Sequence, residues 1–437
     1  MRDVAVLIFL LGCIVAALRQ PWLGVLGLAI FSYMNPHAFA WGFMRYSVPA
    51  YQILFLVVAI ALFTTEDRQR TPRDWRIPTF FLLWFYFFLT TTVALVREAA
   101  WAKLFEVSKI YLPMLLTLWL INTRRKLYFL IITIAASIGL IAVKGGIWAI
   151  LSGFQYRVYG PEGTQFYENN AFAVATNMAI PLIILWLRGT EKENKWLRRL
   201  LMAAVPLCMA SSLSSWSRGA LLSLAATTLF LIWNSRRRVL VAIPLLAVGI
   251  YLATHYLPEE WFARMHTMET YEEDASAMSR LATWTDGFHW ALAHPFKGAG
   301  FEGWRYVTHA DWHSSYVEIM AEHGLIAFAM WFSLLFGTLI SLTRLPRLTR
   351  HVPEIGWVEN YSLMLRASLV AYATGTVFLG LSYWDIFYHM VFIAVLTKQF
   401  ALAELAQHQQ LQTAGSRQPT PALRPSGVLD VPKSHPA

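Results

Sequence analysis

The chain has 437 residues, 57% of them hydrophobic and only 14% charged, with a mean hydropathy of +0.46. A soluble globular chain carries roughly 25% charged residues, so a single water-soluble core is excluded. Continuous apolar runs in place of short alternating strands exclude an outer-membrane barrel, and the formal net charge of +10 forms no single patch that would bind nucleic acid.

The chain opens on two short apolar runs, 3–18 and 22–34, split by Arg19 and Pro21. Each is thin for a full crossing. No convincing small-residue cleavage site follows "AALRQP", so the start reads as a retained span and not as a secretory signal. Further runs lie at 50–64, 77–96, 103–121, 127–151, 171–187, 199–213, 218–233, 238–257, 324–342, 362–380 and 386–402. Several approach the ~20 residues that cross a bilayer, predicting an all-α polytopic membrane protein of about 12 transmembrane helices, with about 13 possible. Cys13 and Cys208 both lie inside apolar segments, which argues against a disulfide framework.

The basic residues report topology. Nineteen Lys and Arg fall in five connections, "EDRQRTPRDWR", "NTRRK", "RGTEKENKWLRR", "NSRRR" and "TRLPRLTRHVPEIGWVENYSLMLR". The connections between them hold only Arg97, Lys103 and Arg157, with Arg218 at a helix edge. This asymmetry places the five basic loops in the cytoplasm. The chain therefore divides into N-terminal transmembrane helices (1–257), a large, partly helical outer loop (258–323), C-terminal helices (324–405) and a Gln/Pro/Ser-rich tail (406–437) expected to be disordered in the cytoplasm. The outer loop has four basic residues against eleven acidic ones, a net of −7. Bulk attraction cannot hold an anion there; individually placed arginines must.

Candidate chemistry gathers on the outer side. In "SSLSSWSRGALLSL", Arg218 opens a span directly after a Ser-rich turn. A guanidinium at that depth either snorkels to the interface or faces a polar cavity. Gly219 and Ala220 keep the backbone slim beside it, and no acid lies within helical reach, an arrangement suited to gripping phosphate with a two-pronged fork. Arg280 and Trp284 share a helix face by their spacing, either as a solvated charge with an interfacial aromatic or as part of a site. His313, in "ADWHSSYVEIMAEHGLIAF", lies before the next apolar run and so at the outer surface. Imidazole as a side-chain type suits acid–base work near neutral pH, with helix capping the plainer alternative. Asp311, Glu318, Glu322, His309 and His323 also invite a metal reading, but neither H-x-x-x-H nor an acidic metal motif is found; no metal is expected. Arg157, in "YRVYGPEG", is a further candidate cation. Lys144, in "IAVKGGIW", is deep enough to require a partner or a wet cavity.

Taken in order, "SxSRGA" at 215–220, "R-x-x-x-W…HP-x-x-G-x-G" from Arg280 to Gly300 and "H-x-x-Y…E-x-G-L-I" from His313 to Ile326 resemble the O-antigen ligase superfamily. That superfamily also holds O-antigen polymerases and protein O-oligosaccharyltransferases. The resemblance covers roughly Ser152 to Leu342. The chain departs from it at Ser314, where the family usually has Asn, and at Ala327, where it often has Gly. The resemblance implies a C-type glycosyltransferase fold in the bacterial inner membrane, active on the periplasmic side without a metal or other cofactor. It implies an undecaprenyl-pyrophosphate-linked O-antigen donor and a lipid A–core acceptor among the membrane lipids. Arg218 and Arg280 are then expected to hold the pyrophosphate, with Arg157 as a third donor and His313 as general base. Trp284 and Tyr316 are expected to contact substrate. An O-antigen polymerase or protein O-oligosaccharyltransferase is the near alternative. A polysaccharide-precursor transporter is a distant one, since its polar groups would sit near mid-membrane in paired halves.

Overall fold

The computed structural model describes residues 1–235, 251, 255–266 and 275–415, which are helical with no strand among them. In chain order the helices are α1 (Arg2–Arg19), α2 (Pro21–Tyr33), α3 (Phe43–Tyr46), α4 (Ala50–Thr64), α5 (Arg76–Thr92), α6 (Arg97–Leu120), α7 (Arg124–Leu151) and α8 (Asn169–Gly189). They continue with α9 (Lys195–Leu213), α10 (Arg218–Trp233), α11 (Glu259–His266), α12 (Ala275–Ala293), α13 (Trp304–Val307), α14 (Ser315–Thr349), α15 (Trp357–Gly375) and α16 (Asp385–Gly415).

Five of these, α7, α8, α9, α14 and α16, are long and apolar enough to cross a membrane, and α2, α4 and α10 are shorter apolar helices. The chain is a multi-pass helical protein. Helices also form at the expected spans 3–18, 77–96, 103–121 and 362–380, though shorter or more charged than a plain crossing. The expected span 238–257 lies almost wholly outside the described residues. Two expected boundaries shift. Helix α16 runs through Gly415, past Ala406 where a disordered tail is expected; 416–437 lie outside the described residues. Helix α14 starts at Ser315, inside the expected outer loop, and Gly324 breaks it with φ +80°, so the expected junction at 323–324 appears as a kink.

Helices α8 and α16 are the most enclosed of the five. Small residues make this possible: Ala171, Ala173, Ala175 and Ala179 on α8 are all buried, letting α7, α9, α10 and α15 approach closely. Without a hydrophobic drive between helices in lipid, polar pairs add specificity. Ser32 on α2 donates to Asp385 on α16 at 2.6 Å. His389 pairs through its two ring nitrogens with Tyr33 (2.8 Å) and Thr117 (3.0 Å), pinning α2 and α6 to α16. At the opposite end of α16, the buried Asp74 takes two bonds from Arg76, Nε at 2.7 Å and Nη2 at 3.0 Å, and one from Lys398 at 2.9 Å. Burial works to raise the Asp74 carboxyl, but the paired guanidinium and ammonium outweigh it and hold it at about 2.

Candidate active site

The site starts from the Ser-rich turn. Ser217 is the N-cap of α10, its hydroxyl accepting from Ala220 N–H at 3.2 Å, which sets Arg218 as the first helical residue. The turn is tied down from two sides. Ser214 donates to the Tyr156 carbonyl at 2.7 Å and Trp216 to the Phe154 carbonyl at 3.1 Å. The Asn169 amide, at the start of α8, donates to the Ser215 carbonyl at 2.6 Å. Trp216 adopts φ +58°, a left-handed conformation that disfavours side chains and concentrates at functional sites.

These ties make the first turns of α8 and α10 converge. Between them and α12 lies a narrow cleft of about 30 Å³ lined by Asn170, Ser217, Arg218, Gly219, Arg280, Phe378 and Leu379. Arg218 and Arg280, far apart in sequence, thus face one space. Helix N-termini carry partial positive charge and unsatisfied N–H groups, so both helix ends and both guanidinium groups favour the same occupant, an anion of phosphate type. The half-buried position of both arginines keeps them less screened than surface charges.

A short relay of contacts leads from the cleft to His313. Phe378, on the cleft wall, packs on Trp284 with ring centroids 5.9 Å apart. The Trp284 indole donates to the Trp312 carbonyl at 2.8 Å, fixing the peptide just before His313. Ser315 joins the same parts from the other side. Its N–H donates to Thr376 O at 2.9 Å and its hydroxyl donates to Leu379 O at 2.9 Å while accepting from Leu381 N–H at 2.7 Å. The turn carrying Phe378 and Leu379 is therefore stitched to the start of α14, where His313 sits. The His313 side chain is 44% exposed, its Nδ1 stands 3.4 Å from Asp311 Oδ2, and its φ is +47°.

The remaining expected residues fall elsewhere. Arg157 is exposed on the loop that the Ser-rich turn holds by Val158 N–H to Ser214 O at 3.2 Å, but it is not among the residues lining the cleft. The Tyr316 hydroxyl donates to Ala373 O at 2.9 Å and its ring packs on Trp331 at 5.1 Å, which gives it a packing role beneath the site. Lys144 is exposed on α7. Its long stem can snorkel toward the helix end about 10 Å away.

The polar residues after His313 also part company with it. Glu322 is buried and accepts from Tyr383 (2.6 Å) and Trp312 (3.2 Å). His323 is buried with Nδ1 2.6 Å from the Thr90 hydroxyl and its ring 4.4 Å from both Phe87 and Phe301. Glu318 accepts from Ser382 N–H at 3.0 Å. These groups hold the kink at Gly324 against the "HPFKGAG" turn, where Gly300 N–H donates to Glu322 O at 2.7 Å and Leu325 N–H to Pro295 O at 2.7 Å. A Cβ on Gly324 would stand 2.4 Å from Pro295 O, and one on Gly298 2.5 Å from the Glu322 backbone; both sit at positive φ. The two glycine-bearing motifs are thus one interlocked structure. Among the described residues, no cluster of His, Cys, Asp or Glu is arranged to hold a metal ion. Asn170, Phe378 and Leu379 escape sequence reasoning as cleft residues. Only the pair "NN" at the start of α8 hinted at the first, and nothing marked the apolar wall.

Comparison with known families divides the chain. Residues 1–191 match a family of unknown function (DUF5935), and residues 203–332 match the O-Antigen ligase family. No curated protein matches the chain. Arg218, Arg280 and His313 all fall within the second segment, Asn170 within the first, and Phe378 and Leu379 beyond both. Residues 203–332 are thus a domain of the O-Antigen ligase family, which supports membership of the chain in the O-antigen ligase/polymerase superfamily.

Proposed function

We propose that the chain is an O-antigen ligase, a glycosyltransferase that moves O-antigen from undecaprenyl pyrophosphate to a sugar hydroxyl of lipid A–core on the periplasmic face of the inner membrane. The observation that carries this reading is the single cleft shared by Arg218 and Arg280 at two converging helix N-termini. A diphosphate leaving group develops charge as it departs, and preorganised cations in a half-buried site stabilise that charge strongly. Arg157 is the third cation of this reading and lies outside the cleft itself.

His313 is the general base of this reading. Asp311 beside Nδ1 favours the tautomer protonated there, which leaves the Nε2 lone pair to take the acceptor hydroxyl proton. The freed oxygen attacks the anomeric carbon, the bond from that carbon to the diphosphate oxygen breaks, and one displacement inverts the centre. Trp284 acts as a positioning residue through the Trp312 carbonyl.

Mass spectrometry of lipopolysaccharide from a deletion strain tests the acceptor. Whole, uncapped cores without long chains support the ligase. Cores carrying one repeat move the assignment to an O-antigen polymerase, and intact lipopolysaccharide with unglycosylated proteins moves it to a protein O-oligosaccharyltransferase. Excess EDTA leaves the purified enzyme's rate unchanged on this reading; loss of turnover that divalent ions restore would overturn the metal-free chemistry.

A further inference from the structure

A second cavity lies at the other end of the bundle. It has a volume of about 680 Å³ and is walled by the start of α7, the end of α8, the start of α15 and α16. Helix α8 links it to the arginine cleft, with Asn170 lining one site and Arg188 the other. At 1.5 Å per residue those positions are about 27 Å apart along the helix, close to the ~30 Å thickness of a bilayer's hydrocarbon core. The two sites therefore lie at headgroup depth in opposite leaflets.

The lining has a definite chemistry. Arg124, Arg125 and Arg188 supply three guanidinium groups against one lining carboxylate, Glu404. That carboxylate is already engaged: the Trp357 indole donates to its Oε2 at 2.8 Å, and Arg124 Nη1 stands 3.8 Å from its Oε1. Arg124 also lies over the Trp357 ring at 5.1 Å. Arg188 donates one N–H to Asn360 Oδ1 at 2.9 Å, which leaves its remaining donors for a ligand. Arg125 rests on the Phe129 ring at 5.8 Å and makes no ion pair among the described residues. Tyr128 and Tyr361 add hydroxyls to the same space.

We propose that this cavity binds the phosphate headgroup of an anionic phospholipid in the leaflet opposite the arginine cleft. Basic, aromatic-rimmed pockets between helix ends at headgroup depth suit such lipids. Bidentate donors grip phosphate, and a cavity of this size holds a small headgroup with its glycerol. The site is independent of the glycosyltransferase reading, because its occupant is a resident lipid and its test reads lipid binding instead of transfer.

The experiment uses the full chain, delipidated in dodecyl maltoside, then mixed with micelles containing phosphatidylglycerol or phosphatidylcholine, or with inorganic phosphate at matched concentration. Native mass spectrometry reads adduct retention and thermal unfolding reads stabilisation. Phosphatidylglycerol is retained preferentially and raises the melting temperature. The Arg124→Ala/Arg125→Ala pair weakens that retention at least about tenfold while its lipid-free melting temperature stays near wild type. Should the pair fail to purify, Arg125→Ala alone carries the same readout with a smaller loss. Undiminished retention in these variants overturns the site, and equal retention of phosphatidylcholine overturns its anion preference. Matching stabilisation by inorganic phosphate overturns the lipid assignment in favour of a free phosphate compound.

Discussion

His313 and His323 belong to one polar stretch, and the fold gives them opposite surroundings. The first is nearly half exposed and stands beside Asp311. The second is sealed between two phenylalanine rings and bonded to Thr90. A proton acceptor must meet its substrate, and a sealed imidazole cannot. The arginines divide in the same way. Arg76 is fully buried and bound to Asp74, whereas Arg218 and Arg280 line a cleft. Residue type proposes chemistry, and access decides which copy performs it.

The most severe way to break this division is at His313. His313→Ala is expected to lower turnover by at least about 100-fold with an unchanged melting temperature. Wild-type turnover would remove the base from the site. Arg280→Lys comes next, with an expected loss of about 10-fold or more, because one ammonium does not replace a planar fork; initial rates with a lipid-linked donor measure it, and an unaltered rate would return Arg280 to a surface role.

The buried groups should show the reverse signature, lost stability without a specific loss of rate in the molecules that remain folded. Asp74→Asn is expected to cost about 2 kcal/mol at neutral pH, from the depression of the carboxyl from 3.8 to about 2. The folded state holds this carboxyl below its unfolded value, so its contribution is complete above pH 3.8 and fades as the pH falls through about 2. Melting temperatures of wild type and variant should therefore converge toward that acid limit, and parallel curves would contradict the pairing. The smallest effect is expected from Tyr383→Phe, which takes the 2.6 Å bond from Glu322 and leaves that carboxylate the Trp312 N–H. A loss of about 1 kcal/mol in thermal unfolding is expected.

Much of this was legible in the sequence. Apolar runs located most helices because each needs a continuous stretch, and the Ser-rich turn, Arg280 and His313 stood out through motif spacing. Gly298 and Gly324 were visible as letters but not as the two sides of one contact. Phe378 and Leu379 were invisible as site residues, since an apolar wall at a helix end looks like any other span boundary. Glu322 and His323 invited a metal reading because helical spacing does not tell which face is sealed.

The cleft draws its walls from three parts of the chain, Asn170 before the ligase-like segment, the arginines within it, and Phe378 and Leu379 after it. A chimera that borrowed only residues 203–332 would import the cations and the imidazole without their container. On the proposed function, preference among glycans would then follow the host's flanking helices.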